Sequence, residues 1–580
     1  MRHLLVMVLT FMLYVYPLSY GQVVFVDMAE EWGVNDSDFT AGVGIVDIDS
    51  DSRSEIITTA FEGNDRLYKW NGSSYDELGE DYGLAVDADH HHQIALTDID
   101  KDNLPDIFIS GDPAYNDDGF LYLNYGHSPF YEGAEGYNLD YVIELGSAFF
   151  QFSPTSELAV LCGRRFMVRQ GQTFLDITEG SGFETIENVL APIFLDIDGD
   201  NDDDLFVGAN WGSEYGRLFR NNGDTTFTDI SYNTNEGSFL VGQGVATGDF
   251  DGDEDFDLYL TSGTSNNSMW FNDGSGYFTN ATEYSNTGVS GFTRGACTGD
   301  FDNDGDLDLF VNRAYEYNVL FINNGDGSFF DYSEEGGVID SYNGAGCATS
   351  DLNNDGQLDI VAVNYEYGPK QLLINQTQND SFLKIKLIGE YPNTLALGTV
   401  IKLYGCCDDS SNTEQYIGMR EVRSVTTMYS FDDPIIHFGT GNYTNLRAEI
   451  VFCSLKAGEI SNITPGQTLT IYESSFEDVS INDQPNALPK DHLILNAYPN
   501  PFNSTTKIAI TGAGNGCQLY IYDILGRLIK SENIQTNGAG VSFCSWNGTS
   551  NSGARVASGV YYVKAVSGSY TASTKIILLE

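Results

Sequence analysis

The chain has 580 residues, 84 of them acidic against 27 basic, for a formal net charge of −57 and a pI near 4.1. That balance repels nucleic acid and anionic membrane surfaces, and no basic patch of the kind a nucleic-acid reader needs interrupts it. The eight cysteines include no C-x-x-C spacing, which removes the usual sequence support for zinc or thiol redox chemistry.

The N-terminus, "MRHLLVMVLTFMLYVYPLSYGQ", has a basic start (Arg2, His3), an apolar stretch from Leu4 to about Leu18 and small residues before Gln22. Residues 1–21 read as a secretory signal peptide, the apolar stretch being short for a membrane span. No later segment is long and apolar enough to cross a membrane, so the expected product is exported. Millimolar extracellular calcium would suit weak to moderate sites.

The next feature is an acidic loop that recurs. In "GDFDNDGDLDLFV" (299–311) the aspartates at every second position, Asp300, Asp302 and Asp304, would repel one another unless a cation held them. With Asp308 they form an oxygen-only set at positions 1, 3, 5 and 9, which suits the loose six-to-eight coordination of Ca2+ better than the strict octahedron of Mg2+. The pattern occurs six times: Asp47, Asp49, Asp51, Glu55; Asp98, Asp100, Asp102, Asp106; Asp196, Asp198, Asp200, Asp204; Asp249, Asp251, Asp253, Asp257; the Asp300 loop; and Asp351, Asn353, Asp355, Asp359. An EF-hand needs a Glu at position 12 and flanking helices. Position 12 is Thr58, Ile109, Val207, Leu260, Val311 and Ala362, and apolar, β-branched runs follow each loop, so each is expected to join two strands. Up to six Ca2+ are predicted. Gly305 and Gly356 stand at position 6, Gly199 and Gly252 two places earlier, and the first two loops have neither, which marks them as the weaker sites.

First aspartates are spaced by 51, 98, 53, 51 and 51 residues, so one gap is nearly two periods. A silent repeat is expected inside it, with Pro154 and Glu157 in place of the carboxylates. Each repeat ends in a tail such as "LFRNNGDTTFTDIS", whose Asn-Gly or Asp-Gly between alternating runs signals a hairpin. Seven tails match seven repeats. A period near 50 built of short strands predicts an all-β chain with a seven-bladed β-propeller over residues 22–380. Glycine-rich segments such as "GQGVATGDF" suit inner strands crowded about an axis.

These units resemble the FG-GAP/VCBS repeats of integrin-type propellers over residues 24–378, and the resemblance implies calcium in the D-x-D-x-D-G-x-x-D loops. A different β pattern then runs over 381–473. Its Lys384–Leu387, Gly398–Tyr404, His437-Phe438-Gly439 and Thr468–Tyr472 resemble the ASPIC/UnbV domain of extracellular proteins similar to cartilage acidic protein. Residues 474–491 read as a polar linker. The last segment, 492–580, has the strands of a small Ig-like sandwich. Its Tyr498-Pro499-Asn500-Pro501-Phe502, Tyr522–Arg527, Ser558–Tyr561 and Lys575-Ile576 resemble a type A sorting domain of type IX secretion. This resemblance implies passage across a bacterial outer membrane by that machinery, then release or anchoring at the surface; the alternative is a structural Ig-like module that stays in place.

Catalytic motifs are lacking: there is no G-x-S-x-G, H-E-x-x-H or P-loop. The run His90-His91-His92 is expected to be an exposed polar loop. Cys297 and Cys347 read as small buried hydrophobes; Cys517 could pair with Cys544, and Cys453 with Cys406 or Cys407. Of the off-motif aromatics (Tyr115, Trp211, Tyr215, Tyr315, Tyr317, Tyr365, Tyr367), several fall just after second strands, and they either line a sugar-stacking face or pack blade-edge loops. Two functions stay open, together with a purely structural coat role: an adhesion or binding module for a glycan or protein ligand, and an extracellular polysaccharide lyase or hydrolase. An enzyme would need acidic and basic groups converging in a cleft outside the repeats.

Overall fold

A computed structural model describes residues 23–578 apart from 85–89, 113–118, 140–145, 152–156, 184–188, 209–214, 240–241, 367, 407–413, 479–493, 499–505, 512–516, 524–526, 535–540, 552 and 568–569. The signal peptide, most of the linker, Pro154, Tyr115, Trp211, Tyr367, Cys407 and much of the Tyr498–Phe502 and Tyr522–Arg527 motifs therefore lie outside the described residues. Among those described, no helix is long and apolar enough to cross a membrane. The chain divides into two compact units, Met1–Glu477 and Asp478–Glu580.

The first unit contains seven four-stranded antiparallel sheets in succession, the blades of a propeller. Blade 1 is typical: Phe39–Val46, Glu55–Glu62, Arg66–Trp70 and Tyr75–Glu77 pair in chain order, from an almost wholly buried inner strand to an outer one with exposed acids. The silent repeat is a complete blade, the third, formed by Ser147–Phe150, Ala159–Cys162, Arg165–Gln170 and Thr173–Asp176. Phe166, Phe183 and Phe227 interlock beneath it, and Phe150 stacks on Phe194 of blade 4 with centroids 3.5 Å apart. Blade 7 has no outer strand of its own after Gln371–Asn375. Phe25–Asp27 supplies it, Phe25 pairing with Asn375 and Asp27 with Leu373, so the two ends of the propeller close the ring.

The tails form the expected hairpins. Asn222 N–H donates to the Thr226 carbonyl at 3.0 Å and Asn324 N–H to Ser328 at 2.9 Å, closing their loops. The preceding asparagine instead joins neighbouring blades. Asn124, Asn272, Asn323 and Asn375 donate from Nδ2 to the carbonyls of Ile48, Ile197, Phe250 and Phe301, each one blade earlier, at 2.7–2.9 Å. In blade 3 Arg169 takes this place and donates to Ile99.

Two further sheets complete this unit: His437-bearing Ile436–Gly439 beside Phe382–Ile388 and the parallel Gln467–Tyr472, and a five-stranded sheet centred on Asn445–Val451, with Val400–Cys406 beside it. Between them residues 424–432 form a tight turn that enters the bore of the propeller. Ser424 Oγ exchanges hydrogen bonds with the backbone of Phe149, Thr427 Oγ1 accepts from Ala296, Ser430 Oγ accepts from Val43, and Phe431 N–H donates to the Val43 carbonyl at 3.1 Å. Inner-strand glycines leave room for it. A Cβ on Gly44 would stand 2.5 Å from Phe431 Cζ, and one on Gly346 would collide with Ser430 Oγ. A turn supplying hydroxyls to inner-strand N–H groups satisfies donors that a bare bore would leave to water.

The second unit has a three-stranded sheet (Ile494–Tyr498, Thr506–Thr511, Val541–Trp546) and a four-stranded sheet ordered Leu528–Ile534, Cys517–Asp523, Gly559–Ser567, Tyr570–Leu578. Its core packs Ile508, Leu519, Ile521, Trp546, Val563 and Ile576. Cys517 and Cys544 are free thiols here, as are Cys406 and Cys453, so neither expected pairing is formed; Cys297 and Cys347 are buried and free.

Candidate metal sites on the carboxylate loops

All six acidic loops join the first and second strands of their blades, at one edge of the ring. Their shape follows from hydrogen bonds made by the carboxylates themselves. The first aspartate accepts from the backbone of positions 5 and 6: Asp47 from Asp51 and Ser52 at 3.0 and 3.1 Å, Asp300 from Asp304 and Gly305 at 3.0 and 2.8 Å. This winding puts positions 4 and 6 in the left-handed region in every loop, with φ of 61° and 68° at Ser50 and Ser52, 73° and 65° at Gly199 and Asn201, 58° and 118° at Asn303 and Gly305. The alternating glycine thus has a reason: either position gains from one. Loops 1 and 2 have side chains at both, at a cost of roughly 1–2 kcal/mol per residue.

Position 9 is a buried node. Asp308 accepts from Phe301 through Oδ2 and from Asn323 through Oδ1, both at 2.9 Å, and Asp106, Asp204, Asp257 and Asp359 repeat the arrangement. One acid therefore ties its loop to the third strand while facing the other carboxylates.

Ligand oxygens come within 4.8 Å of one another in five sets: Asp47, Asp49, Glu55; Asp98, Asp100, Asp106; Asp196, Asp198, Asp204; Asp249, Asp251, Asp257; and Asp300, Asp302, Asp304. The fifth positions Asp51, Asp102, Asp200 and Asp253, and Asp308 of blade 6, lie outside these sets. The blade 7 loop, with Asn353 at its third position beside Asp351, Asp355 and Asp359, is not among them. Fit to a cation is tested by unpaired oxygens. Asp198, Asp251 and Asp302, the third position of three loops, each hold Oδ1 buried with no hydrogen-bond partner, and so does Asp49, whose other oxygen meets the Lys69 ammonium. A repeated orphan acceptor amid other carboxylates is the signature of a missing positive charge rather than of a turn that happens to be acidic. Without one, burial and then neighbouring carboxylates push Asp200 and Asp251 up to about 7 and Asp302 to about 8, and Asp196 reaches about 7 chiefly through burial. The donor set, all oxygen and mostly carboxylate, fits Ca2+.

Side chains from the domain after the propeller reach the same edge, and the sequence offered no sign of this. Thr394 donates to Asp98, Tyr416 to Asp249, and the buried Lys384 ammonium to Asp351 Oδ2 at 2.5 Å. Lys386 stands 3.6 Å from Asp47, and His437 Nε2 contacts the Gly356 carbonyl at 3.1 Å. The histidine run departs from expectation. His91 and His92 are buried, not exposed, paired with Asp65 at 2.6 Å and Asp112 at 3.1 Å, because their segment enters the inner strand of blade 2 beneath Phe61 and Tyr429. On the opposite edge Tyr215, Tyr315 and Tyr317 are exposed, whereas Tyr365 is buried.

Comparison with known proteins agrees with this organisation. Residues 196–260, 249–311 and 300–362 match the FG-GAP-like repeat, 389–478 the ASPIC and UnbV family, and 501–570 the FlgD Ig-like domain. The chain carries FG-GAP-like repeats and an ASPIC/UnbV domain. Cartilage acidic protein 1 of Xenopus tropicalis is 39% identical over 87 residues, which are 15% of this chain and 13% of that protein, so the match spans a small part of the relative. Among solved structures, PorZ, a surface component of the type IX secretion system of Porphyromonas gingivalis, is 12% identical with a TM-score of 0.19 over 93% of this chain and 81% of its own. The SapL1 lectin, solved with α-methyl fucoside, is 16% identical with a TM-score of 0.29 over 58% and 98%.

Proposed function

We propose that this chain is a secreted or cell-surface calcium-binding protein whose propeller acts as an adhesion or binding module for an extracellular glycan or protein. The observation that carries the reading is the repeated orphan oxygen at the third loop position, which asks for a cation at one edge of the ring. Calcium there would be held by the first, third, fifth and ninth positions and would rigidify the blades. It supplies structure in this reading, and the carboxylates it engages are not free for acid or base work.

The location of the ligand follows from what the loop edge already contacts. The ASPIC/UnbV domain meets the acidic loops and its turn fills the bore, so among the described residues the exposed aromatics to consider are those at the opposite edge, where second strands end. Tyr315 there is 63% exposed and Tyr317 60%, with the Tyr315 hydroxyl donating to Glu366 at 2.5 Å. Exposed aromatic rings beside fixed polar groups suit stacking on sugars. The 492–580 domain is proposed to direct export through type IX secretion.

The test is binding of the full mature chain to a glycan array with calcium and again with chelator, followed by Tyr315→Ala and Tyr317→Ala. Calcium-dependent binding weakened by those substitutions supports the reading. A blank array from a folded, calcium-loaded protein transfers it to protein ligands, and calcium that fails to bind at all overturns it.

A further inference from the structure

Blade 1 differs from the other acidic loops in one side chain. Lys69, the fourth residue of Arg66–Trp70, reaches the loop, and its ammonium lies 2.7 Å from Asp49 Oδ2, 3.0 Å from Asp51 Oδ2 and 2.8 Å from Glu55 Oε1. Those are positions 3, 5 and 9 of the loop, three of the four residues to which the calcium reading assigns an ion. The fourth, Asp47, has Lys386 at 3.6 Å. The corresponding third-strand residues in blades 2, 3, 5, 6 and 7 are Leu123, Val168, Phe271, Ile322 and Ile374, none of which carries charge, and in blade 4 Arg220, which is exposed. Among the described residues, blade 1 alone has an ammonium within hydrogen-bond distance of three of its loop carboxylates.

A −4 loop that receives an ammonium at hydrogen-bond distance from three carboxylates has three charge-assisted contacts, where the blade 7 loop has the one from Lys384 to Asp351 and the blade 4 loop feels Arg220 only through its field. Calcium could enter only by expelling Lys69 from all three or by lying beside it against like-charge repulsion. The contrast with blade 7 is geometric: Lys384 donates to Asp351 and Asn354, a single loop carboxylate, and acts on Asp355 only through its field.

We propose that Lys69 is the resident cation of blade 1, closing its loop in the place an ion takes elsewhere, so that blade 1 binds no calcium while blades 2, 4, 5 and 6 do. This rests on the calcium reading above. Asp49 retains a buried, unpaired Oδ1, so the loop keeps the shape of a site once its lysine is removed.

The experiment counts calcium per chain by elemental analysis after dialysis of the full mature protein against buffered calcium, for wild type, Asp49→Ala, Asp251→Ala and Lys69→Met. Asp251→Ala is expected to lose one ion, Asp49→Ala none, and Lys69→Met to gain one. Loss of one ion in Asp49→Ala overturns the proposal, as does a folded Lys69→Met with an unchanged count. Should Lys69→Met fail to fold, the comparison of the two aspartate variants decides alone. A wild type without calcium refutes the calcium reading itself, an outcome distinct from either.

Discussion

Removing the ring of Phe431 while adding a methyl to Gly44 is the sharpest test of the turn that fills the bore. Phe431 is fully buried, and the three atoms nearest a Cβ built on Gly44 all belong to its ring. Phe431→Ala alone should cost about 3–5 kcal/mol through lost burial and a cavity. Gly44→Ala alone forces the ring aside and should cost about 1–3 kcal/mol. In the double variant the methyl occupies part of the vacated space, so the loss should fall short of the sum by about 1–3 kcal/mol, the coupling expected of residues in contact. For a unit of this size, with an unfolding entropy of about 2 cal/mol/K per residue, 1 kcal/mol is about 1 °C, within reach of differential scanning calorimetry on the full chain in calcium. Additive losses would show that residues 424–432 do not occupy the bore.

Chelation should lower the melting temperature of the first unit: sites with Kd near 10⁻⁴–10⁻³ M each contribute about 0.4–1.4 kcal/mol at about 1 mM calcium, so four give a shift of several degrees, and an unchanged melt refutes occupancy. Calcium-free protein should melt higher at pH 5.5 than at pH 8. The folded loops hold acids such as Asp251 near 7 against 3.8, so the native state binds more protons and loses stability as pH rises through that window, and added calcium should flatten the trend. Asn323→Ala should cost about 1–3 kcal/mol, since the carbonyls of Phe250 and Leu307 would lose their donor in a buried joint between blades; a loss below half that range in chemical denaturation would show that water replaces it.

The repeats were legible because strand period, turn chemistry and the acidic signature agree. Even the blade without acids could be placed, since its spacing and tail persist around Phe166 and Gly171. What the sequence hides is contact between distant segments. Nothing local to Phe25–Asp27 says that it completes blade 7, and nothing in "SVTTMYSFD" says that its hydroxyls belong in a bore whose strands lie 131 to 387 residues upstream. The histidine run misled because three polar residues in a row look solvated, whereas Asp65 and Asp112 meet His91 and His92 only after the strands pair. Lys69 was findable: aligning the tails shows a charge where five blades have an apolar residue.

A ring closed by its own two ends has no spare sector. In an open stack of repeats a unit that loses its ligands can be shed, leaving a shorter stack, but here deletion would part Phe25 from Asn375 and expose two raw flanks. Blade 3 persists, on this view, as arc length. It carries Pro154 and Glu157 where the other loops have their acids, yet it must still subtend about one seventh of the circle, so drift can erase a site from a blade far more easily than it can erase the blade.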